Sequence, residues 1–246
     1  MSNKYEINVF NTSLNVSNNK VSFSDIINSD EDIEDLIFDG NEAANMRLDL
    51  LVNGPAFAMK YKKWAFGIST NAVAKANIID VDVNLGDALA NSQINSILGT
   101  TTVNSNYNQK INAATWGEIG LSLARDLFEN DKYKFSAGTN IRLLFPSSFT
   151  NFAADKFNGT IINTPGNHTL TNTQANLNIA YSGPIADGFT DADNFSDFFS
   201  SGINGYAVDL GINFKIKVAD NPKDYKFNSG LAIKNIGSMT FKSDNN

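Results

Sequence analysis

Apolar and polar residues alternate at every second position over long stretches of this chain. From Glu118, the row Ile119, Leu121, Leu123 has one parity, and Glu118, Gly120, Ser122, Ala124 the other. From Tyr133, the row Tyr133, Phe135, Ala137, Thr139, Ile141, Leu143 alternates with Lys134, Ser136, Gly138, Asn140, Arg142. The row Tyr206, Val208, Leu210, Ile212, Phe214, Ile216 alternates with Asp209, Gly211, Asn213, Lys215, Lys217, and Tyr225, Phe227, Leu231, Ile233 with Lys226, Asn228, Gly230, Lys234. Side chains point to opposite faces along a strand, so each segment predicts a strand with one apolar and one polar face. Several run about 11–13 residues, beyond the ~5–6 of an ordinary strand and close to the ~9–11 that a tilted strand needs to cross a bilayer.

Short and long connections alternate between these segments. Asn18-Asn19 reads as a tight turn between strands at Tyr5–Val16 and Lys20–Ser24, and a long acidic connection follows over 25–44. A strand from Asn45 to Tyr61 carries a bulge at Asn53-Gly54-Pro55, where the apolar parity changes from Leu48, Leu50, Val52 to Phe57, Met59, Tyr61. The same Asn53-Gly54 pair also suits a hairpin turn. Lys62-Lys63 turns the chain into Trp64–Ala76, a long connection covers 77–113, Glu129–Lys132 is a short turn, another long connection covers 145–204, and Val218–Asp224 is the last short turn. Short turns at one end and long loops at the other are the pattern of an outer-membrane barrel. The expectation is an all-β fold: one domain over 1–246, an antiparallel up-and-down transmembrane β-barrel of about eight or more long strands, with short helices in its loops.

Alternation alone does not say which face meets water, and composition sharpens the choice. The polar rows carry Gly, Ser, Ala and Asn with sparse charges: Arg47, Asp49, Glu118, Lys134, Arg142, Asp209, Lys215, Lys226 and Lys234. A water-facing soluble surface is richer in Lys and Glu, whereas small residues and mixed charges suit a crowded lumen. Trp64, Phe66, Phe128, Tyr133, Phe135, Phe214, Tyr225 and Phe227 cluster near the short-turn end, as an interfacial girdle would. Cross-strand packing in soluble hairpins is the alternative source of such a cluster. Tyr133-Lys134-Phe135-Ser136-Ala137-Gly138 is echoed by Tyr225-Lys226-Phe227-Asn228-Ser229-Gly230, each opening a strand after a short turn.

Charge and residue inventory exclude several function classes. The net charge is −7 and the pI about 4.7. Arg47, Arg125 and Arg142 are scattered without a basic run, so nucleic acid is not an expected partner. Zero cysteines remove disulfide scaffolds, thiol catalysis and cysteine-based zinc sites. The one histidine, His168, lies in the turn-rich segment Thr164–Thr169 and reads as exposed. Neither a spanning helix nor an N-terminal signal peptide is visible, and GxGxxG, P-loop and GxSxG motifs are missing. Asparagine is abundant, at 36 residues, so the matches to glycosylation acceptors at Asn158 and Asn167 carry little weight.

Three loop segments were weighed for chemistry. Asp30-Glu31-Asp32-Ile33-Glu34-Asp35, with Leu36, Ile37 and Phe38, reads as a short amphipathic helix whose carboxylates suit Ca²⁺, although a solvated loop helix is the favoured explanation. Asp187–Asp193 offers spaced carboxylates without the EF-hand spacing or its closing Glu. Phe189, Phe195, Phe198 and Phe199 suggest a short helix that plugs the barrel mouth, docks a partner or lipid-like ligand, or packs on the rim; rim packing is the simplest of these. No catalytic, cofactor-binding or metal-binding residue is therefore expected, and no cofactor.

Asn53-Gly54-Pro55-Ala56-Phe57-Ala58-Met59 and Trp64-Ala65-Phe66-Gly67-Ile68-Ser69-Thr70 resemble segments of an uncharacterised Bacteroidota outer-membrane β-barrel family, a domain of unknown function. Thr115–Leu121, Gly205–Gly211 and Tyr225–Gly237 resemble it too, and in the same order. That family looks distantly similar to the fatty-acid-transporter-like barrels, some of which serve type 9 secretion. The resemblance implies an outer-membrane location and no enzyme activity, and transfers no site residues. Members would carry a leader and more strands, so this chain is expected to be part of a larger barrel.

The leading expectation is thus a non-enzymatic outer-membrane barrel with a transport, structural or secretion-associated role. Its partners would be the lipid bilayer, and other outer-membrane or secretion-system proteins or a hydrophobic small molecule. A secreted soluble β-rich adhesin or binding module is the alternative, and an enzyme acting through loop carboxylates the third.

Overall fold

A computed structural model describes residues 4–28, 36–90, 99–164, 167–183, 195–218 and 221–242. Its strands are β1 (Tyr5–Asn8), β2 (Asn11–Asn18), β3 (Ala44–Tyr61), β4 (Trp64–Val81), β5 (Gly99–Asn104), β6 (Asn108–Glu129), β7 (Tyr133–Thr164), β8 (Asn167–Ser182), β9 (Gly205–Val218) and β10 (Asn221–Met239). Helices α1 (Phe23–Asn28) and α2 (Val83–Ala90) and a 3₁₀ helix at Phe195–Phe199 sit in the connections. The fold is all-β. One antiparallel sheet runs β1-β3-β4-β6-β7-β9-β10, with β2 on β3 and both β5 and β8 on β7. β1 and β2 lie end to end along one edge of β3, β5 and β6 along one edge of β7, and β8 and β9 along its other edge. Among the described residues the sheet does not close: β10 and the β1/β2 line are the two free edges of its seven-strand path, and β5 and β8 each pair on one side only.

Tight connections sit at one end. Lys62-Lys63 joins β3 to β4 with Lys62 in the left-handed region, φ 54°. In the β6–β7 turn, Asn130 Oδ1 accepts from the backbone N–H of Lys132 at 2.9 Å and of Tyr133 at 2.7 Å, an Asx turn that reverses the chain. Val218 pairs directly with Asn221 at the β9–β10 turn. The expected bulge is also present: β3 runs unbroken from Ala44 to Tyr61, and its register against β4 shifts between Asn53 and Ala56. That shift keeps Leu50 and Phe57 on one face despite their opposite parity.

The other end corrects two expectations. Lys20–Ser24 forms no strand. Ser22 N–H donates to the Asp25 carboxylate at 2.8 Å and Asp25 N–H to Ser22 Oγ at 3.3 Å, a capping box that starts α1. Those hydrogen bonds hold the Asp25 carboxyl below its ordinary range. The connections placed over 77–113 and 145–204 are largely strand: β4 extends to Val81, β6 starts at Asn108, β7 continues to Thr164, and β8 returns along it. Their apolar rows are short or interrupted: on β7, Phe152 and Ala154 give way to the opposite parity at Phe157 and Ile161 across a register shift, and on β8 only Leu177, Ile179 and Tyr181 alternate; ladder hydrogen bonds need only backbone, and β5 and β8 supply it on both sides of β7.

The compact hydrophobic core lies in this extension. Leu85 of α2 packs with Val103 of β5 and Ala154, Phe157 and Ile161 of β7. The long alternating strands have no such core beneath their apolar rows. Ile7 is 75% exposed and Leu231 68%, and Leu121, Ile141, Leu210 and Ile212 are likewise exposed. Part of that apolar face is covered near its far end by the 3₁₀ helix. Phe199 meets Phe145 edge-on at 5.2 Å, and Phe195 lies 5.5 Å from Phe199.

Gly54 and Gly117 make room for this helix. A Cβ on Gly54 would come 2.6 Å from the Phe195 ring, and one on Gly117 2.7 Å from the Phe198 carbonyl and 2.8 Å from the Phe199 ring. Gly117→Val should therefore destabilise the protein by about 1–3 kcal/mol, the usual cost of overpacking. Trimming the ring as well, in Gly117→Val/Phe199→Ala, should recover part of it. Denaturant midpoints followed by tryptophan fluorescence check both; equal midpoints for Gly117→Val and the parent would contradict the seating of the helix here.

Candidate functional site

The polar rows line the concave face of the sheet. Register carries one row from Glu6 through Ala58, Gly67, Ser122, Asn140 and Asp209. The next runs from Lys60 through Ala65, Ala124, Gly138, Gly211 and Ala232. Five successive positions of that second row have no side chain beyond Cβ. They leave a cavity of about 720 Å³ that reaches from Glu6 on β1 to Ala232 on β10. A second cavity of about 570 Å³ lies beside it, between Asn15 on β2 and Asn235 on β10. Residues from both free edges thus face shared space, which is how the sheet is known to curl.

A charged tier borders each side of this belt. On the long-connection side, Arg142 holds the centre. Its Nη1 donates to both Glu118 carboxylate oxygens at 3.3 Å, and its Nη2 to Asp209 Oδ1 at 2.9 Å and to Asn235 Oδ1. Trp116 Nε1 donates to Glu118 Oε1 at 2.8 Å. Asn235 sits at a bulge of β10 with φ 62°, and its backbone N–H donates to Asp209 Oδ1 at 2.8 Å. Alongside, Asp49 pairs with Arg47 at 2.7 Å and Lys75 at 3.6 Å, and the Lys75 ammonium lies 5.8 Å from the Trp116 ring centre.

The second tier lies toward the short turns. Asp126 accepts from Lys134 at 2.7 Å, Ser136 at 2.7 Å and Lys60 at 3.4 Å. Glu129 pairs with Lys217 at 2.8 Å and Lys134 at 3.4 Å. The central charges need their partners because they are shielded from water: the Glu118 side chain is 7% exposed and that of Lys134 12%, whereas Arg47 and Lys75 at the margin are exposed. Together the tiers form a polar wall around a belt of small residues, able to hydrogen-bond solvent or a solute. Among the described residues, no group of three or more His, Cys, Asp or Glu is placed to hold a metal ion.

Six charges picked from the polar parity, Arg47, Asp49, Glu118, Lys134, Arg142 and Asp209, are brought into the tiers. Lys215 instead lies over the Tyr225 ring at 4.3 Å, and Lys226 and Lys234 are exposed. Lys217, also placed in a polar row, joins the tiers, whereas Asp126, Glu129, Lys60, Lys75, Trp116 and Asn235 were missed. Asp126 and Trp116 extend the parity of Glu118 and Ala124 along β6, a signal that could have found them. The acidic run Asp30–Asp35, the Asp187–Asp193 carboxylates and Phe189 lie outside the described residues, as does the side chain of His168. Phe195 and Phe199 pack on the outer rim rather than plugging the concave side.

Arg142→Met strands the buried Glu118 carboxylate and should cost about 3–5 kcal/mol. Adding Glu118→Gln should return part of that loss, because the charge left unpaired is then gone. Chemical-denaturation midpoints of both variants test this; additive losses would show that the pair is not coupled.

The chain matches, over residues 1–246, a family described as a family of unknown function (DUF5723), and it belongs to that family. No curated protein and no solved structure matches it.

Proposed function

We propose that this family member is a non-enzymatic outer-membrane β-barrel protein whose strands β1–β10 form part of the barrel wall, with a transport, structural or secretion-associated role. One observation carries the reading: large apolar side chains stand exposed along the outer face, while the charges gather in ion pairs on the concave face. Burying a Leu, Ile or Phe side chain is worth roughly 1.5–3 kcal/mol, so a soluble fold would turn these rows inward. Exposed apolar patches larger than a few hundred Å² mark a partner or a membrane. The dimensions agree with a bilayer. At ~3.3 Å per residue and a tilt of ~40°, the row from Tyr206 to Ile216 rises about 25 Å, the height of the apolar band of outer-membrane barrels.

The segments that resemble a Bacteroidota outer-membrane family support the same reading, and with it the distant kinship to fatty-acid-transporter-like barrels. The concave face then borders the lumen, and its small-residue belt opens the cavity of about 720 Å³ within it. Lipid is the partner of the outer face; a hydrophobic small molecule or a secretion-system protein would be met at the lumen or at the β7–β8 extension.

The full-length protein should fractionate with the outer membrane and show heat-modifiable migration on gels. Recovery as a soluble monomer without detergent would overturn the proposal in favour of a secreted binding module. Single substitutions separate the faces further. Leu210→Arg on the outer face should cost about 2–4 kcal/mol in lipid vesicles, the penalty of a cation near the bilayer midplane. Ala232→Arg, facing the belt, should cost less than about 1 kcal/mol.

A further inference from the structure

The outer face carries a second pattern at its short-turn end. Register sets Tyr5 opposite Met59, Tyr61 opposite Trp64, and Trp64 opposite Arg125, so β1, β3, β4 and β6 contribute to one continuous patch. Tyr5 stacks on Phe57 at 6.2 Å and Trp64 on Phe66 at 6.3 Å. Three cations lie over its rings: Lys4 5.5 Å from the Tyr5 centre, Lys62 5.4 Å from Tyr61, and Arg125 4.8 Å from Trp64.

These cations are treated differently from those of the two ion-paired tiers. There, Lys60, Lys75, Lys134, Arg142 and Lys217 each pair with a carboxylate. Among the described residues, Lys4, Lys62 and Arg125 pair with none, although the chain carries a net charge of −7. The nearby acids are committed elsewhere: Asp126 and Glu129 to the second tier, and Glu6 to the concave parity of Ala58. The cations of the two tiers are thus neutralised, while at this end of the outer face three are left without a carboxylate, among rings.

We propose that this patch is a docking surface for the headgroups of anionic phospholipids in the leaflet at the short-turn side. The inference rests on the bilayer reading above and deepens it. Tyr and Trp rings settle at headgroup depth, and a cation lying over such a ring keeps its donors free. The Arg125 guanidinium offers a phosphate two parallel N–H donors, and the lysines offer point charges. Each Lys or Arg held near an anionic surface strengthens attraction roughly fivefold.

The test uses the full-length protein in vesicles of mixed phosphatidylglycerol and phosphatidylcholine, with bromine on the acyl chains of one lipid at a time. Tryptophan quenching then reports which lipid occupies the annulus; Trp64 lies in the patch, whereas Trp116 bonds Glu118 on the concave face. Phosphatidylglycerol should be preferred by at least about twofold at low salt. The preference should collapse toward one in Lys62→Gln/Arg125→Gln and in about 1 M salt, where the screening length is ~3 Å. Heat-modifiable migration verifies that the double variant is folded, and Lys62→Gln alone, placed in a two-residue turn, should lose part of the preference. Equal quenching by the two lipids in the parent, or a preference unchanged in the variants, would overturn the proposal. Quenching by neither lipid would instead overturn the bilayer reading beneath it.

Discussion

Parity is the constraint on which this structure depends. In a sheet, each side chain's face is set by its position in the ladder, and a slip of one residue exchanges the faces. Here one face is apolar and the other holds buried charge, so a slipped strand would carry Glu118 or Arg142 to the apolar side. The bulges are where this constraint becomes visible. At Asn53–Ala56 of β3, and opposite Thr115-Trp116 where β7 passes from Pro146 to Ser148, one extra residue restores the alternation. At Asn235 of β10 the left-handed residue does more, since it delivers both its N–H and its side chain to the Arg142 centre.

The two faces meet different physical demands. Shielded carboxylates on the concave side are expensive unless each is hydrogen-bonded; Arg142 serves Glu118 of β6 and Asp209 of β9, and Lys134 serves Asp126 and Glu129, both of β6. Those ion pairs also fasten neighbouring strands, because β6, β7 and β9 each contribute a member. Among the described residues, the apolar side is fastened instead by the 3₁₀ helix and stacked rings. The compact core is displaced to the β5–β7–β8 extension, where α2 supplies Leu85.

Much of this was legible in the alternation. Strand rows, the short turns at Lys62-Lys63, Glu129–Lys132 and after Val218, and the bulge at Asn53-Gly54-Pro55 follow from local parity and turn chemistry, and the folded chain has them, whereas the hairpin expected at Asn18-Asn19 is not formed. The continuation of β7 to Thr164 was not legible, because its apolar row changes parity between Ala154 and Phe157, where the register against β8 shifts, and backbone pairing to two flanking strands holds it. Lys20–Ser24 misled for the opposite reason: a three-residue capping interaction outweighed a short alternating stretch. For the charged tiers, the polar parity named most of the members but not their partners. Arg142 reaches Asp209 across 67 positions, a relation that only the β7–β9 register creates.

The strand directions carry a consequence of their own. The path from β1 to β10 crosses seven strand positions, and each step reverses direction. Six reversals cancel in pairs, so β10 points the same way as β1 and β2. A direct seam between these edges would be a parallel ladder. Two copies with the same sidedness, joined edge to edge, would only repeat that seam twice. A ring in which every neighbour is opposed has an even circumference, so such a ring takes an odd number of further strands across this gap.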